Sequence, residues 1–182
     1  MRNIREDDLE MVRHWRMLPE ITRYMYTDPE ISEEDQRAWF ATITASPSSR
    51  AWIIELTDGD IPVGLLSLTD IDETHRRACW AYYIADDRAR GKGLAKSLEL
   101  SIYRYVFEEM RFNRLWCEVL AFNDRVVSIH EKFGSKVEGV LRQHIQKNGE
   151  VHDVVRMAVL AEDWPAITEQ FSFEPIAIEE QA

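Results

Sequence analysis

Cysteine is scarce in this sequence, and its scarcity limits the folds that the chain can adopt. The 182 residues include only two cysteines, Cys79 and Cys117. Two thiols are too few for a disulfide framework, and neither lies in a Cys-x-x-Cys or Cys/His pattern with zinc spacing. We therefore expect two core thiols in a reducing compartment, and no metal site.

Long apolar runs are also missing. No stretch approaches the roughly 18 apolar residues that are needed to cross a bilayer. The N-terminal residues MRNIREDDLEM lack the apolar region of a signal peptide. The sequence therefore predicts a cytoplasmic protein with no membrane partner.

Positive charge is in short supply, with 22 Lys and Arg residues against 33 Asp and Glu and a net charge of -11. An acidic surface repels phosphates, which excludes a bulk nucleic-acid binder. An anionic ligand must then be met by a local feature. The length and the hydrophobic fraction of 45% predict one compact unit. We expect a domain over residues 1–164 and a loosely held tail over 165–182.

Hydrophobic periodicity predicts a mixed α/β fold with one central sheet. Leu9, Val12 and Trp15 share one face of a first helix, and a second helix begins after Ser32 as its cap. The final hairpin has Asn148-Gly149 at its tip, the pair favoured in two-residue turns. Strands are expected at 51–56, 61–71, 77–85, 114–122, 137–146 and 151–160, and further helices at 94–110 and 123–134.

One basic, glycine-rich turn, ADDRARGKGLAKSLE, stands out in this acidic chain. A nucleoside-triphosphate loop is excluded because Gly91 and Lys92 are followed by Gly93 instead of Ser or Thr. A dinucleotide turn fits poorly because Lys96 occupies the position that needs Gly or Ala. The remaining pattern, [R/Q]-x-x-G-x-[G/A], is satisfied by Arg88, Gly91 and Gly93.

This turn has the parts of a pyrophosphate site. Glycines let successive backbone N–H groups face one oxyanion, and the start of the following helix adds partial positive charge. The amides would come from Gly91 through Ala95, and the cations that raise the local potential are Arg88, Arg90, Lys92 and Lys96. A plain helix-start turn with solvent-facing bases is the alternative.

The turn and a second segment, RLWCEVLAFNDRVVSIHEKFGSKVEG, resemble the GCN5-related N-acetyltransferases, or GNAT family, over about residues 4–164. The resemblance implies a single-domain GNAT fold, with a mostly antiparallel sheet, a splayed parallel strand pair and flanking helices. It also implies an acetyl-CoA-dependent N-acetyltransferase. In that family the pantetheine arm lies in the gap between the splayed strands, and here it would pair with the edge at 82–85.

The same resemblance assigns the acetyl-CoA contacts. They would be made by the end of the fourth strand, the turn, the first turn of the next helix, and two residues of the second segment. These residues are Tyr83, Ile84, Ala85, Arg88, Arg90, Gly91, Lys92, Gly93, Leu94, Ala95, Asn123 and Lys132.

The resemblance also suggests catalytic groups. A backbone N–H near Tyr83 or Ile84 would stabilise the oxyanion. The family's proton donor is a tyrosine in the pattern N-x-x-A-x-x-x-Y-E-K-x-G, and His130 occupies that position here. A histidine gives up a proton near neutral pH more readily than a tyrosine but has a shorter reach, and it could instead pack the helix. Glu118 is a candidate general base or a member of a surface ion pair. A non-catalytic acyl-CoA-binding module is the rival class.

The acceptor is indicated by further resemblances. WRMLPEITRYMYTDPEISEEDQRAWF and HEKFGSKVEGVLRQHI resemble amino-sugar N-acetyltransferases of the pseudaminic acid pathway, which serves flagellin glycosylation. They imply a small-molecule amine acceptor, a UDP-linked 4-amino-4,6-dideoxy sugar. Arg16 would bind its diphosphate, and Tyr24 and Tyr26 its rings.

Other segments point to a different acceptor. IDETHRRACW and EGVLRQHIQKNGEVHDVVRM are similar to spermidine acetyltransferases and to enzymes that act on ribosomal-protein N-termini. A spermidine enzyme would need acidic residues at the mouth of its site, for which TDID at 69–72 is a candidate. The oligomeric state stays open, since the sequence has no evident exposed apolar stripe.

Overall fold

The computed structural model describes residues 1–56, 60–89, 91 and 93–180. These residues form seven strands and six α-helices. The strands are β1 (Arg2–Asn3), β2 (Arg50–Leu56), β3 (Ile61–Asp72), β4 (Arg77–Ile84), β5 (Arg114–Leu120), β6 (Lys136–Lys147) and β7 (Glu150–Leu160). The helices are α1 (Leu9–Met17), α2 (Pro19–Thr22), α3 (Glu33–Ala45), α4 (Leu94–Arg104), α5 (Asp124–Lys132) and α6 (Trp164–Gln170).

All seven strands join one sheet in the order β1-β2-β3-β4-β5-β7-β6. Every neighbouring pair is antiparallel except β4 and β5, which are parallel. The predicted mixed α/β class with one mostly antiparallel sheet is therefore confirmed.

The parallel pair separates after three residues of contact. Arg77 pairs with Arg114, and the last pair is Cys79 with Trp116. Both strands are fully described, and β4 continues to Ile84 without a partner on the β5 side. The predicted splay is present, and it leaves a gap with one unpaired strand edge.

Hydrophobic side chains bury both faces of the sheet. The larger cluster packs strand residues such as Trp52, Leu66 and Trp80 against Leu98 and Ile102 of α4. The smaller cluster packs α1 on the opposite face, through Leu9, Val12 and Trp15 against Ile53 and Leu65. Alternation along each strand supplies both faces, as a sheet between two helical layers requires.

Two local sequence signals are confirmed. Ser32 caps α3. Its Oγ accepts a hydrogen bond from the Asp35 N–H at 3.1 Å, and its own N–H donates to the Asp35 carboxylate. Asn148 and Gly149 have φ of 50° and 82°, as a two-residue turn with two left-handed positions requires. Both signals act over four residues or fewer, so the sequence alone reveals them.

Three short elements were not predicted. β1 has only two residues and depends on its pairing with β2. Pro19 opens α2, where its missing N–H costs nothing. The residues from Trp164 to Gln170 form α6.

The prediction of a loosely held tail is wrong for residues 165–180. Beyond α6 the chain is extended, and Phe171, Phe173, Ile176 and Ile178 pack against the larger core cluster. Ile176 N–H donates to Ser101 Oγ at 2.8 Å. Packing of these apolar side chains holds the segment on the core although its other residues are mostly polar. We call residues 171–180 the C-terminal strap.

Both thiols are free, with Cys117 buried and Cys79 partly buried. Burial raises the pKa of the Cys79 thiol to about 12. Among the described residues, no helix has the length and apolar character to cross a membrane.

Candidate active site

The unpaired edge of β4 is the backbone feature of the site. Ala85 N–H donates to Val63 O at 2.8 Å, so Ala85 and Val63 form a hydrogen-bonded antiparallel pair. Tyr83, opposite Leu65, forms the next such pair, whereas Ile84 lies between the two. The Ile84 N–H therefore points away from β3 and into the gap. The sequence analysis left open whether Tyr83 or Ile84 supplies the backbone N–H for the oxyanion, and the strand register favours Ile84.

The glycine turn connects this edge to α4. Gly91 and Gly93 have φ of +74° and +68°, and no described atom lies within 4 Å of a Cβ built on either residue. Gly93 is the residue that precedes α4. Two left-handed glycines with open space before an eleven-residue helix fit an oxyanion.

The basic side chains near the turn are partly engaged elsewhere. Arg88 Nε donates to Asp86 Oδ1 at 2.8 Å, and the Arg88 hydrogen bonds lower the pKa of Asp86 to about 2. Lys96 Nζ donates to Ser172 O of the strap at 2.5 Å. Arg90 and Lys92 lie outside the described residues. An anion at the described turn would therefore meet first its amides and the start of α4.

The remaining predicted acetyl-CoA contacts are spread over both sides of the gap. Leu94 and Ala95 form the first turn of α4 and are partly buried. Asn123 precedes α5, and its carbonyl accepts the Val126 N–H at 3.0 Å. Lys132 lies at the opposite end of α5, with Nζ 5.7 Å from the Phe133 ring centroid.

His130 lies inside the core, with 4% of its surface exposed. Its ring centroid is 5.3 Å from that of Trp80, the first β4 residue beyond the parallel pairing. Its Nδ1 lies 3.0 Å from Glu99 Oε2. His130 is therefore at the floor of the gap, next to a carboxyl group.

Glu99 is fully buried, which the sequence did not predict. Tyr103 OH donates to its Oε2 at 3.1 Å, while Oε1 has no partner among the described residues. A buried carboxyl group is costly unless it is paired. The neighbouring sequence does not reveal this burial, because α4 also carries Lys96 and Arg104, which are only partly buried.

The opposite face of the sheet carries a second polar group, formed by Glu118, Tyr26 and Arg156. Tyr26 OH donates to Glu118 Oε2 at 2.8 Å, and Arg156 Nε donates to Oε1 at 3.0 Å. Partial burial acts to raise the pKa of Glu118, but the bonds from Arg156 and Tyr26 outweigh it and hold that pKa below its usual value. Glu118 is therefore an ionised, engaged carboxylate and a weak base.

Two donors near this group lack partners. Arg16 Nη1 and Tyr83 Oη are both buried, and neither makes a hydrogen bond within the described part of the chain. Trp15, adjacent to Arg16 in α1, packs edge-on against Tyr83 with ring centroids 6.4 Å apart. The structure thus brings Arg16 to β4, and Tyr26 to β5.

The N-terminal segment and the last hairpin form the mouth of the gap. Tyr24 is exposed, and its ring centroid lies 6.1 Å from that of Phe122, just beyond β5; the His152 ring centroid lies 5.5 Å from that of Phe122. An open cavity of about 340 Å³ is lined by Phe122 and His152, and its charged lining residues are Arg23, Asp28, Lys147 and Glu150.

The acidic segment at 69–72 does not reach this mouth. Asp72 pairs with Arg77 at 3.4 Å, at the start of β4, whereas the gap opens toward the end of β4 at Ile84. A strand of eight residues separates the two ends. The TDID segment therefore does not line this cavity, whose carboxylates are Asp28 and Glu150.

The split parallel pair, the glycine turn and the helix after it define an acyltransferase type of fold. The chain matches the family described as the acetyltransferase (GNAT) domain over residues 1–136, and it belongs to that family. It is an acetyl-CoA-dependent N-acetyltransferase, as the sequence resemblance implied, with acetyl-CoA as co-substrate.

Known relatives cover most of the chain. Spermidine N(1)-acetyltransferase of Escherichia coli (strain K12) is 26% identical over 166 residues, 91% of this chain and 88% of that protein. YdaF of Bacillus subtilis (strain 168), named as a candidate ribosomal N-acetyltransferase, is 31% identical over 109 residues. That alignment spans 60% of this chain and 58% of YdaF.

The fold also has solved counterparts. Spermidine N-acetyltransferase from Vibrio cholerae, in complex with CoA and spermine, superposes with a TM-score of 0.83 at 23% identity. The superposition covers 90% of this chain and 95% of that one. None of these three relatives is named for a sugar nucleotide, so the amino-sugar resemblance gains no support from them.

Proposed function

We propose that the acceptor is a small aliphatic polyamine of the spermidine type. The observation that carries this proposal is the alignment with a spermidine acetyltransferase across 91% of the chain. A net charge of -11 favours a cationic acceptor over an anionic one. The expected nucleotide-linked amino sugar thereby becomes the second candidate.

The mouth holds charged groups of both signs, with Arg23 and Lys147 beside two carboxylates, and its acidic and aromatic groups are the ones that support a polyamine. Asp28 and Glu150 offer carboxylates, and Phe122, 48% exposed, offers an aromatic face. Hydrogen bonding from Asn148 lowers the pKa of Asp28, which keeps that carboxylate charged. Carboxylates and ring faces are the groups that recognise alkylammonium ions.

The co-substrate end of the site is assigned to the turn and the β4 edge. Acetyl-CoA supplies the acetyl group as a thioester. The amides from Gly91 to Ala95 would hold its pyrophosphate at the start of α4. The Ile84 N–H, which faces the gap, would donate to the carbonyl oxygen as negative charge develops there.

Proton transfer is assigned to one side of the sheet, and the proton that the amine loses as the amide bond forms and the C–S bond breaks passes to solvent. Glu118 is held by Arg156 and Tyr26, so we assign it to orienting the acceptor side and not to taking the proton. His130 is the titratable side chain beside Trp80 at the floor of the gap, and we assign it to holding the proton for the leaving group.

Initial rates with spermidine test the acceptor. Asp28→Asn and Glu150→Gln should each raise KM for spermidine several-fold and leave KM for acetyl-CoA unchanged. Glu162→Gln, an exposed carboxylate between β7 and α6, is the matched control and should change neither. No acetylation of spermidine by an enzyme that binds acetyl-CoA would reject the polyamine assignment.

The second candidate, a UDP-linked amino sugar, is favoured by one observation. Arg16 has a buried Nη1 without a partner in the described chain, which a diphosphate oxygen could satisfy. Rates with a UDP-linked 4-amino sugar, measured beside spermidine, decide between the two acceptors.

A further inference from the structure

We propose that Arg16 and Tyr83 form a subsite for an oxyanion carried by the acceptor, either a carboxylate next to the reacting amine or a diphosphate. The proposal rests on the proposed function in that the acceptor is a small amine. It goes beyond polyamines, because it extends the acceptors to amines that carry an acidic group, such as α-amino acids with a cationic side chain.

Two buried donor atoms support this subsite. Arg16 Nη1 and Tyr83 Oη are buried, and neither has a hydrogen-bond partner within the described residues. Arg16 Nη2 has only a long contact, 3.5 Å, to Thr27 Oγ1. A buried guanidinium N–H and a buried phenol both cost free energy until they meet an acceptor atom.

Among the described residues, no anion is hydrogen-bonded to this pair. The nearby Asp28 carboxylate instead accepts a hydrogen bond from Asn148 Nδ2 at 3.2 Å, which lowers its pKa, and the Arg16 charge helps to lower that pKa further. By contrast, Arg156 on the same face is matched to Glu118. Within the described chain, Arg16 is thus a cation of the acceptor side with no carboxylate hydrogen-bonded to it.

The location suits a group close to the reacting amine. Tyr83 precedes Ile84, whose N–H faces the gap, and its side chain lies on the α1 face with Trp15. Glu118 and Tyr26 lie on this face too, across the gap on the β5 side. An amine in the gap would therefore have its α-substituent beside Arg16 and Tyr83.

Both side chains can donate to one oxyanion. A guanidinium offers several N–H groups in a fixed fork, and a phenol offers one O–H. Burial raises the pKa of Tyr83, with the positive charge of Arg16 acting in the other direction, so the phenol keeps its proton at neutral pH. Two donors without acceptors match the lone pairs of a carboxylate or phosphate.

Isothermal titration of the CoA-bound enzyme tests the subsite with three probes. Lysine and cadaverine differ only by the α-carboxylate, and UDP supplies a diphosphate without an amine. A carboxylate subsite predicts that lysine binds about 10-fold or more tightly than cadaverine, and that Arg16→Gln removes the difference. A diphosphate subsite predicts that UDP binds the wild type and not Arg16→Gln.

Two further variants keep the test decisive. Tyr83→Phe removes one donor without changing ring volume, and it should weaken the same probe in the same direction if Arg16→Gln does not fold. Arg37→Gln, which removes an exposed arginine of α3 paired with Glu33, should bind every probe like the wild type. Equal affinities of wild type, Arg16→Gln and Tyr83→Phe for all three probes would overturn the subsite.

The result is separable from that of the polyamine assignment. Spermidine turnover reports on the acceptor class, whereas the titration reports on Arg16 and Tyr83 without turnover. An enzyme that acetylates spermidine and binds lysine no better than cadaverine, with UDP unbound, retains the proposed function and loses the subsite. An enzyme inactive on spermidine that discriminates for lysine or UDP through Arg16 retains the subsite and loses the polyamine.

Discussion

The carboxylate of Glu118 is held by Arg156 and Tyr26, and this arrangement leads to a prediction about catalysis. A general base contributes about 10²- to 10⁴-fold to a rate. Because Glu118 is engaged and its pKa lies below its usual value, Glu118→Gln should lower kcat by less than about 10-fold. A loss within the range of a general base, with the fold intact, would restore Glu118 as the proton acceptor.

The same residue predicts a pH dependence of stability. A carboxyl group with a lowered folded-state pKa contributes stability above its unfolded value, near 4.5, and loses it as the pH falls through the lower folded value. Glu118→Gln should cost about 1 kcal/mol at pH 7, since the pair is partly exposed. The cost should disappear in acid, as urea unfolding at several pH values would show.

The proposed role of His130 in proton transfer predicts the effect of replacing it. His130→Phe keeps a ring against Trp80 but removes the proton, so kcat should fall about 100-fold while KM for acetyl-CoA is unchanged. Tyr103→Phe, which removes a hydroxyl from the same Glu99 carboxyl, is the control and should retain kcat. Full activity of a folded His130→Phe would assign His130 to packing alone.

Among the elements, the glycine turn before α4 gives the sharpest test. Gly93 has φ of +68°, a conformation that asparagine tolerates and valine does not. Gly93→Val should lose roughly 1 to 2 kcal/mol of stability and bind CoA at least 10-fold more weakly, whereas Gly93→Asn should lose less of each. Titration with CoA and thermal unfolding measure both. Equal CoA binding by Gly93→Val and the wild type would remove the turn from the site.

Elements with strong local signals were predictable, and elements held by distant partners were not. The cap of α3 and the Asn148-Gly149 turn depend on neighbouring residues and were found. β1 and the C-terminal strap depend on pairing and packing with residues far away in sequence and were missed.

The site follows the same division. The glycine turn is a local motif, and the sequence located it. Glu118 and Arg156 are 38 residues apart and meet only because β5 pairs with β7, so the engaged state of Glu118 could not be seen in the sequence. The burial of Glu99 beside His130 likewise depends on the packing of α4 against α5.

The C-terminal strap is hydrogen-bonded both to the N-terminus of the chain and to strand β2. Met1 N donates to Ala177 O at 2.6 Å, and Trp52 Nε1 donates to Glu179 O at 2.8 Å. A chain that ends at Gln170 should therefore unfold at a markedly lower temperature, because it lacks the four apolar side chains of the strap that pack against the core. An unchanged unfolding temperature would mean that the strap adds nothing to the fold.

We propose that acetyl transfer takes place at the unpaired edge of β4. The Ile84 N–H is a donor that this edge directs into the gap, and β3 does not use it. Ile84→Pro removes that N–H and keeps an extended backbone, while Ile84→Val keeps it and serves as the control.

The most direct test is the kcat of Ile84→Pro with spermidine and acetyl-CoA, measured beside Ile84→Val. We predict a fall in kcat of about 100-fold for the proline variant, with CoA binding retained, and no more than a few-fold change for valine. A folded Ile84→Pro enzyme with the kcat of the wild type would contradict the account.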